Sequence, residues 1–157
     1  MRISILAVGK MAAEYRDSAH EYQKRLGRYC KLQVVELPEQ REPAQPVAAL
    51  QDAVRRKEGE ALLARLRPED YLIALCIDAK QHTSEQFAGM LAALKDTGRH
   101  VAFAIGGSLG LSEEVQARAD ASLSLSALTF PPQLARIILL EQLYRGFRIL
   151  SGERYHK

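Results

Sequence analysis

A glycine-rich loop is the first feature of the sequence that suggests a binding site. The segment GGSLG at 106–110 follows an apolar run at 101–105 that predicts a buried strand. In open parallel sheets ligands bind at the carboxyl ends of strands, and glycines let the backbone approach a ligand closely. A tight strand-to-helix turn explains the same residues equally well. The loop matches neither the fingerprint G-x-G-x-x-G nor a P-loop, so neither kind of nucleotide site is favoured.

The same loop matches G-x-S-x-G, the pattern around the nucleophile of many serine hydrolases, with Ser108 at the serine position. Asp120 and His156 follow it in the order of the α/β-hydrolase triad. That pattern requires a helix directly after the serine, whereas Ser112 is the residue that predicts a helix N-cap here. The chain also has no HGGG-type oxyanion segment. A serine hydrolase is therefore the weaker alternative.

A second unusual segment, LSLSALTFPP at 123–132, consists of small and apolar residues that lead into two adjacent prolines. One interpretation is a strand that stops at prolines, which cannot donate ladder hydrogen bonds. The other is a rigid loop whose backbone polar groups and apolar walls form a slot for a flat apolar ligand such as adenine. The spacing by itself does not choose between them.

The last predicted helix, at 134–150, carries groups that could hold charge or move a proton. Glu141 and Arg145 have the i,i+4 spacing typical of a helix-stabilising ion pair, and Arg148 lies on roughly the same face. Residues 133–157 hold five Lys and Arg against two Glu, so this end of the chain could bind a polyanion, although a solvated helix face explains the charges as well. The histidines are scattered, so no metal site is expected.

Alternating strand and helix patterns connect these segments. Strands are predicted at 2–8, 32–37, 71–77, 101–105 and 121–126, and helices at 12–26, 47–66, from 84 to near 98, after Ser112 and at 134–150. The run at 71–77 is apolar on both faces, as in a central strand that helices cover on both sides. The pattern predicts an α/β fold of three layers with a mostly parallel sheet, in a single domain covering 1–157.

Composition excludes several classes of protein. A chain of 157 residues suits one domain, and no apolar run approaches the ~20 residues that cross a bilayer. The apolar N-terminus lacks a signal-peptide cleavage site and predicts a first strand. The two cysteines have no C-x-x-C spacing and are too few for a disulfide framework, so we expect a cytoplasmic protein. The net charge of +3 does not by itself indicate nucleic-acid binding.

Several motifs occur together in a characteristic order. They are ISILAVGK at 3–10, KEGE at 57–60, IGG at 105–107 with GL at 110–111, LSALTFP at 125–131, LLEQLYR at 139–145 and the terminal YHK. In order, spacing and total length the chain resembles the ribosomal RNA large-subunit methyltransferase H family, which are small SPOUT (α/β-knot) methyltransferases. The resemblance covers essentially the whole chain.

The resemblance implies a fold, an activity and a cofactor. The family has a parallel α/β sheet with a deep trefoil knot in its C-terminal half, and it works as a homodimer. It uses S-adenosylmethionine (SAM) to methylate N3 of a pseudouridine in the helix 69 stem-loop of 23S rRNA, on assembled ribosomes. The family's cofactor contacts correspond here to Leu75, Gly106, Leu125, Ser126, Ala127, Leu128, Thr129 and Phe130.

Relatives often have Pro-His where this chain has Pro131-Pro132, so a histidine there cannot be essential to this chain. Because N3 of the base must lose its proton to attack, the reaction needs a base or a cation that stabilises the anion. His156 and Glu141 are candidates for the proton. Arg145, Arg148 and Arg154 are candidates for the negative charge.

The family's Tyr-His-basic ending makes Tyr155 and His156 the favoured catalytic pair, with Tyr155 able to stack on the base. The positive charge of this end of the chain predicts RNA contacts by Arg148, Arg154 and Lys157. A non-catalytic module that binds ribosomal RNA without the cofactor is the remaining alternative.

Overall fold

The structure, a computed structural model, describes residues 1–155. Within them, five strands alternate with five helices. In chain order the elements are β1 (Arg2–Val8), α1 (Ala13–Leu26), β2 (Lys31–Leu37), α2 (Ala48–Leu63), β3 (Tyr71–Leu75), α3 (Ser84–Asp96), β4 (His100–Ile105), α4 (Glu113–Arg118), β5 (Ala121–Leu123) and α5 (Pro132–Leu150).

The five strands form one parallel sheet in the order β2-β1-β4-β3-β5. Alternate residues of β1 and β4 enter two separate hydrophobic cores, because successive side chains of a strand point to opposite faces. Helices α1, α3 and α5 cover one face, and α2 and α4 cover the other. The predicted three-layer α/β fold is confirmed, while the trefoil knot stays a prediction. No helix of residues 1–155 is long and apolar enough to span a membrane.

The strands predicted at 71–77 and 121–126 are shorter than expected, ending at Leu75 and Leu123. After Leu123 the backbone bonds to nearby side chains, since the Ser126 carbonyl accepts from the Ser124 hydroxyl and the Ser126 hydroxyl accepts from the N–H of Leu128, both at 3.0 Å. Such local hydrogen bonds compete with a strand ladder. The helix predicted at 47–66 is also shorter, at 48–63.

Helix α5 begins two residues earlier than predicted, at Pro132. Proline suits the first turn of a helix because its missing N–H would have no intrahelical partner there. The helix then packs against α1 and α3, and its buried side chains include Leu140, Tyr144 and Phe147. A Cβ atom on Gly146 would lie 2.8 Å from the Leu91 side chain, so this glycine permits the close approach of α3.

Candidate functional site

A cavity of about 240 Å³ opens at the carboxyl ends of β3, β4 and β5. The glycine-rich loop, the residues that follow β3 and β5, and the first turn of α5 form its walls. The exposed side chains of Ile77 and Leu128, at 54% and 71% exposure, give the cavity an apolar rim. The structure brings seven of the eight predicted cofactor residues to this cavity and leaves out Ala127; the seven are Leu75, Gly106, Leu125, Ser126, Leu128, Thr129 and Phe130.

The glycine-rich loop folds tightly back on itself. The Gly107 carbonyl accepts the N–H of Gly110 at 3.0 Å, and Gly110 has a φ of +83°, which L side chains rarely adopt. A Cβ atom on Gly106 would lie 2.5 Å from the carbonyl carbon of Gly110, so no larger residue fits. The loop is therefore both a tight turn and a backbone wall of the cavity, which are the two interpretations that the sequence left open.

The segment that follows β5 is held to its neighbours by backbone hydrogen bonds. The Leu123 carbonyl accepts from Cys76, and the N–H of Ser124 donates to the Lys80 carbonyl at 3.1 Å. The serine hydroxyls described above then fix 124–128, and Pro131 and Pro132 limit the backbone that follows. These contacts hold the apolar slot in one shape.

A buried carboxyl behind the glycine-rich loop was not among the sequence predictions. Glu58 is 4% exposed, and its Oε1 accepts the N–H of Gln40 at 2.8 Å. Its Oε2 has no partner among the described residues and lies 3.0 Å from where a Cβ atom on Gly107 would be. Burial raises the pKa of Glu58. Its position four residues before Leu62, on the apolar side of α2, is the sequence signal that could have identified it.

A second group of functional candidates, the C-terminal cluster, consists of Glu141, Arg145 and Tyr155. Glu141 Oε1 accepts from Arg145 Nη2 at 2.6 Å and from the Tyr155 hydroxyl at 3.2 Å. The guanidinium carbon of Arg145 lies 4.8 Å from the centre of the Tyr155 ring. The ring of Tyr155 also meets the ring of Tyr144 edge to face, with centroids 5.0 Å apart. The expected i,i+4 pair is therefore part of a three-residue cluster.

Tyr155 keeps its proton at neutral pH. Burial, a hydrogen bond to Tyr22 and the negative charge of Glu141 raise the pKa of Tyr155 to about 12. Its hydroxyl therefore serves as a hydrogen-bond donor rather than as a base. His156 and Lys157, which were also predicted to act at this end of the chain, lie outside the described residues.

The arginines of the C-terminal region are less free than their count suggested. Arg136 is 1% exposed and donates to Glu36 at 2.9 Å and to the Gly9 carbonyl at 3.0 Å, so counting it toward a polyanion-binding end was wrong. Arg148 forms an ion pair with Glu153 at 2.7 Å and donates to the Arg154 carbonyl at 3.0 Å. Arg154, by contrast, is exposed.

The cavity and the C-terminal cluster are separate within one chain. Ala135 lines the cavity, whereas Glu141 and Arg145 do not. At a rise of 1.5 Å per residue, they lie about 9 and 15 Å further along the axis of α5. The cofactor candidates and the catalytic candidates of one chain therefore do not form a single site.

The hydrolase alternative does not fit this arrangement. Ser108 is exposed beyond the carboxyl end of β4, and its hydroxyl donates to Glu42. Asp120 directly precedes β5 and therefore lies at the amino ends of the strands, where it accepts the N–H of Leu72 at 2.9 Å. Ser108 and Asp120 therefore cannot be partners of one triad. Within residues 1–155 no group of three or more His, Cys, Asp or Glu could hold a metal ion.

Comparison with known proteins agrees with the resemblance noted in the sequence. A family model described as "Predicted SPOUT methyltransferase" matches residues 1–156. The ribosomal RNA large subunit methyltransferase H of Clostridium beijerinckii is 48% identical over 100% of both chains. The protein of the same name from Pelotomaculum thermopropionicum is 52% identical over 98% of both chains.

A solved structure of a candidate methyltransferase from Legionella pneumophila, in complex with the cofactor SAM, overlaps less well. It has a TM-score of 0.48 and 13% identity, covering 91% of this chain and 65% of that chain. This overlap is too slight to support an inference about the present chain. The family match and the full-length relatives suffice: this chain belongs to the SPOUT methyltransferase family, among the relatives of ribosomal RNA large subunit methyltransferase H.

Proposed function

We propose that this protein is a SAM-dependent methyltransferase that modifies N3 of a pseudouridine in the helix 69 stem-loop of 23S rRNA, on assembled ribosomes. The observation that carries the proposal is the cavity at the carboxyl ends of β3, β4 and β5, where the glycine-rich loop and the slot at 123–130 meet. The full-length relatives named as rRNA large subunit methyltransferases support the class of substrate.

The residues around the cavity suit SAM. The backbone at Gly106, where a Cβ atom would collide with the loop, permits close approach of a ligand. Apolar walls with a few backbone polar groups suit an adenine ring, and Ile77 and Leu128 extend those walls to the rim. When bound, SAM supplies a methyl group on a sulfonium, so the protein's own task is to position the acceptor and to exclude water.

The C-terminal cluster suits the acceptor base. The Arg145 guanidinium, which Glu141 holds in place, would stabilise the negative charge that develops when N3 loses its proton. Tyr155 donates a hydrogen bond or stacks on the base, because it keeps its own proton. The proton therefore goes to His156 or to Glu141. Arg148, Arg154 and Lys157 would contact the RNA phosphates.

The separation of about 9 to 15 Å between cavity and cluster along α5 supports a homodimer. In such a dimer the C-terminal cluster of one subunit would face the cavity of the other, which would bring cofactor and base together. A cytoplasmic location follows from a ribosomal substrate.

Calorimetric titration with SAM tests the proposal, with Gly106→Ala as the variant and Gly89→Ala as the control. Gly89 lies in α3, and a Cβ atom there would meet nothing within 4 Å. We expect Gly106→Ala to weaken SAM binding by about 100-fold or more, which corresponds to about 2.7 kcal/mol, and Gly89→Ala to leave it unchanged.

The next step is transfer of labelled methyl groups to ribosomes that lack the modification. The wild-type protein should label the helix 69 stem-loop. If a folded wild-type sample shows no saturable SAM binding, the cofactor assignment is wrong and the non-catalytic RNA-binding module becomes the better interpretation. Transfer to another nucleotide would overturn the proposed site while leaving the activity in place.

A further inference from the structure

A second groove, of about 430 Å³, lies at the amino ends of the strands. The cavity proposed above to bind SAM, which we call the SAM cavity, lies at their carboxyl ends. It runs over β1 and β2 beside the end of α2, and we call it the basic groove. Four cationic residues line it: Arg2, Lys31, Arg65 and Arg67. All four are exposed, and none of their side chains has an acidic partner within residues 1–155.

The strand register concentrates this charge. Arg2 of β1 is the direct partner of Lys31 on β2 and of His100 on β4. Neighbouring strands lie about 4.8 Å apart, so the three residues form one row across the sheet. Like charges placed directly opposite each other destabilise a sheet, and no carboxylate in the described chain relieves the pair Arg2 and Lys31. An external anion would relieve it.

The polar residues on the floor of the basic groove are joined by hydrogen bonds. The Ser4 hydroxyl lies 2.8 Å from His100 Nε2, and His100 Nδ1 lies 3.1 Å from Asp70 Oδ1. Asp70, the one acid among the lining residues, is buried and also accepts the N–H of Arg67 at 2.9 Å. The carboxylate of Asp70 therefore bonds to groups inside the protein, and the four cationic side chains make the solvent-facing side of the groove positive.

We propose that the basic groove binds the sugar-phosphate backbone of RNA, as a docking surface distinct from the SAM cavity. This inference rests on the proposed function, which makes a large RNA the substrate. Several unpaired cations in one groove are the feature by which proteins hold phosphates, and each contact releases counterions from the nucleic acid. The side-chain amide of the exposed Gln33 adds a hydrogen-bond donor for phosphate oxygens.

The same lining argues against a protein partner and against readout of bases. Trp and Tyr are, with Arg, the commonest anchors of protein interfaces, and single-stranded bases are read by stacking on aromatic rings. The lining contains no Phe, Tyr or Trp. None of the exposed large hydrophobic residues of the described chain lies there, since these are Val47, Leu50, Ile77, Leu128 and Leu150. We therefore expect the groove to contact the sugar-phosphate backbone, and such contacts position the RNA without recognising its sequence.

The test compares two double variants that each remove two positive charges. Arg65→Gln with Arg67→Gln changes the basic groove at positions that follow α2 and lie outside the sheet. Lys24→Gln with Lys95→Gln is the control, because both lysines are exposed on α1 and α3, which cover the other face. Binding to bacterial large ribosomal subunits is measured by filter retention from 50 to 200 mM salt, beside SAM calorimetry and steady-state methylation.

We expect the groove variant to bind the subunits about 10-fold more weakly at 100 mM salt and to reduce the slope of log K against log salt by about 1.5, since each phosphate contact contributes about 0.7 to 0.9. The KM for ribosomes should rise by a similar factor, with kcat and SAM affinity unchanged. A second variant, Arg65→Lys with Arg67→Lys, should recover the salt slope because it restores the charges.

Several results would overturn the inference. One is that the groove variant binds the subunits with the same affinity and salt slope as the control variant, Lys24→Gln with Lys95→Gln. If the wild type still methylates ribosomes, that result would leave the proposed function intact. Another is a wild type whose subunit binding does not depend on salt. The converse result, salt-dependent RNA binding lost in the groove variant but no methyl transfer by the wild type, would support the groove and reject the proposed function.

Discussion

The cavity at the strand ends and the C-terminal cluster consist of different kinds of groups. Backbone and small or apolar side chains at the ends of strands form the cavity, and Gly106 has no room for a Cβ atom. Charged and aromatic side chains form the cluster, and they hold one another through Glu141. A site made of backbone depends on local conformation, whereas a site made of side chains depends on which elements come together. The two regions should therefore respond differently to mutation.

Helix α5 is the physical link between the two regions. Its first turn, at Pro132 and Ala135, lines the cavity, and its later turns carry Glu141 and Arg145. Because a helix has a fixed rise per residue, it sets the distance between the two regions within one chain. The ion pair between the buried Arg136 and the exposed Glu36 anchors the amino-terminal half of α5 to β2. Changes in the cluster should therefore leave the cavity intact.

Deleting residues 155–157 is the strongest test of this separation. Loss of Tyr155 and of the two residues after it should reduce methylation of ribosomes by about 1000-fold, the scale of acid–base and positioning effects. SAM affinity should stay within about twofold of the wild type, because no cavity wall is removed. Single-turnover methylation and calorimetry measure the two quantities. Unchanged methylation by the shortened protein would exclude the tail from the reaction.

Shortening a side chain at the cavity rim should produce a smaller effect, and this effect should be on SAM affinity. Leu128→Ala should weaken SAM binding by about fivefold, since a ligand that covers this side chain gains about 1 kcal/mol from it. Protein stability should change by less than about 0.5 kcal/mol, because Leu128 is exposed in the free protein. Leu50→Ala, at an exposed position of α2, is the control. Equal SAM affinity in the two variants would place the ligand away from Leu128.

The smallest expected effect concerns the stability of the cluster at high pH. The pKa of Tyr155 is raised from 10.0 to about 12, so the folded state favours the protonated phenol. The stability from this group is full below pH 10 and is lost as the pH rises toward 12, because the unfolded chain releases the proton first. Denaturant unfolding at pH 9 and pH 11.5 should show a steeper loss of stability for the wild type than for Tyr155→Phe. Parallel losses would contradict the hydrogen-bonded environment of Tyr155.

The fold and the cavity were largely predictable from the sequence because local signals specify them. Apolar runs on both faces of the central strands predicted the covered parallel sheet, and the glycines at 106–110 predicted a loop that a ligand could approach. The boundaries of β3 and β5 were wrong by two or three residues. The apolar pattern continues past both strands. After β5 the local hydrogen bonds of Ser124 and Ser126 replace the strand ladder, and a hydropathy pattern does not show that change.

The polar features were predicted less well because their partners are distant in sequence. Arg136 resembled a surface cation until its contact with Glu36, 100 residues away, placed it in the core. Glu58 is one of two glutamates in the motif KEGE, and it lies buried behind the glycine-rich loop. Charge alone does not tell a solvated side chain from a buried one, since the packing around it decides which it is.

The sequence by itself determined the layers of the fold, the family, and the backbone segments that line the cavity, because periodicity, glycines and prolines act within a few residues of themselves. Only the tertiary structure decided which charges are free. It buried Arg136 and Glu58, joined Tyr155 to Glu141, and aligned Arg2 with Lys31 and His100 across three strands. Electrostatic interactions depend on distance and burial in space, and the sheet brings together residues that the chain keeps up to about 100 positions apart.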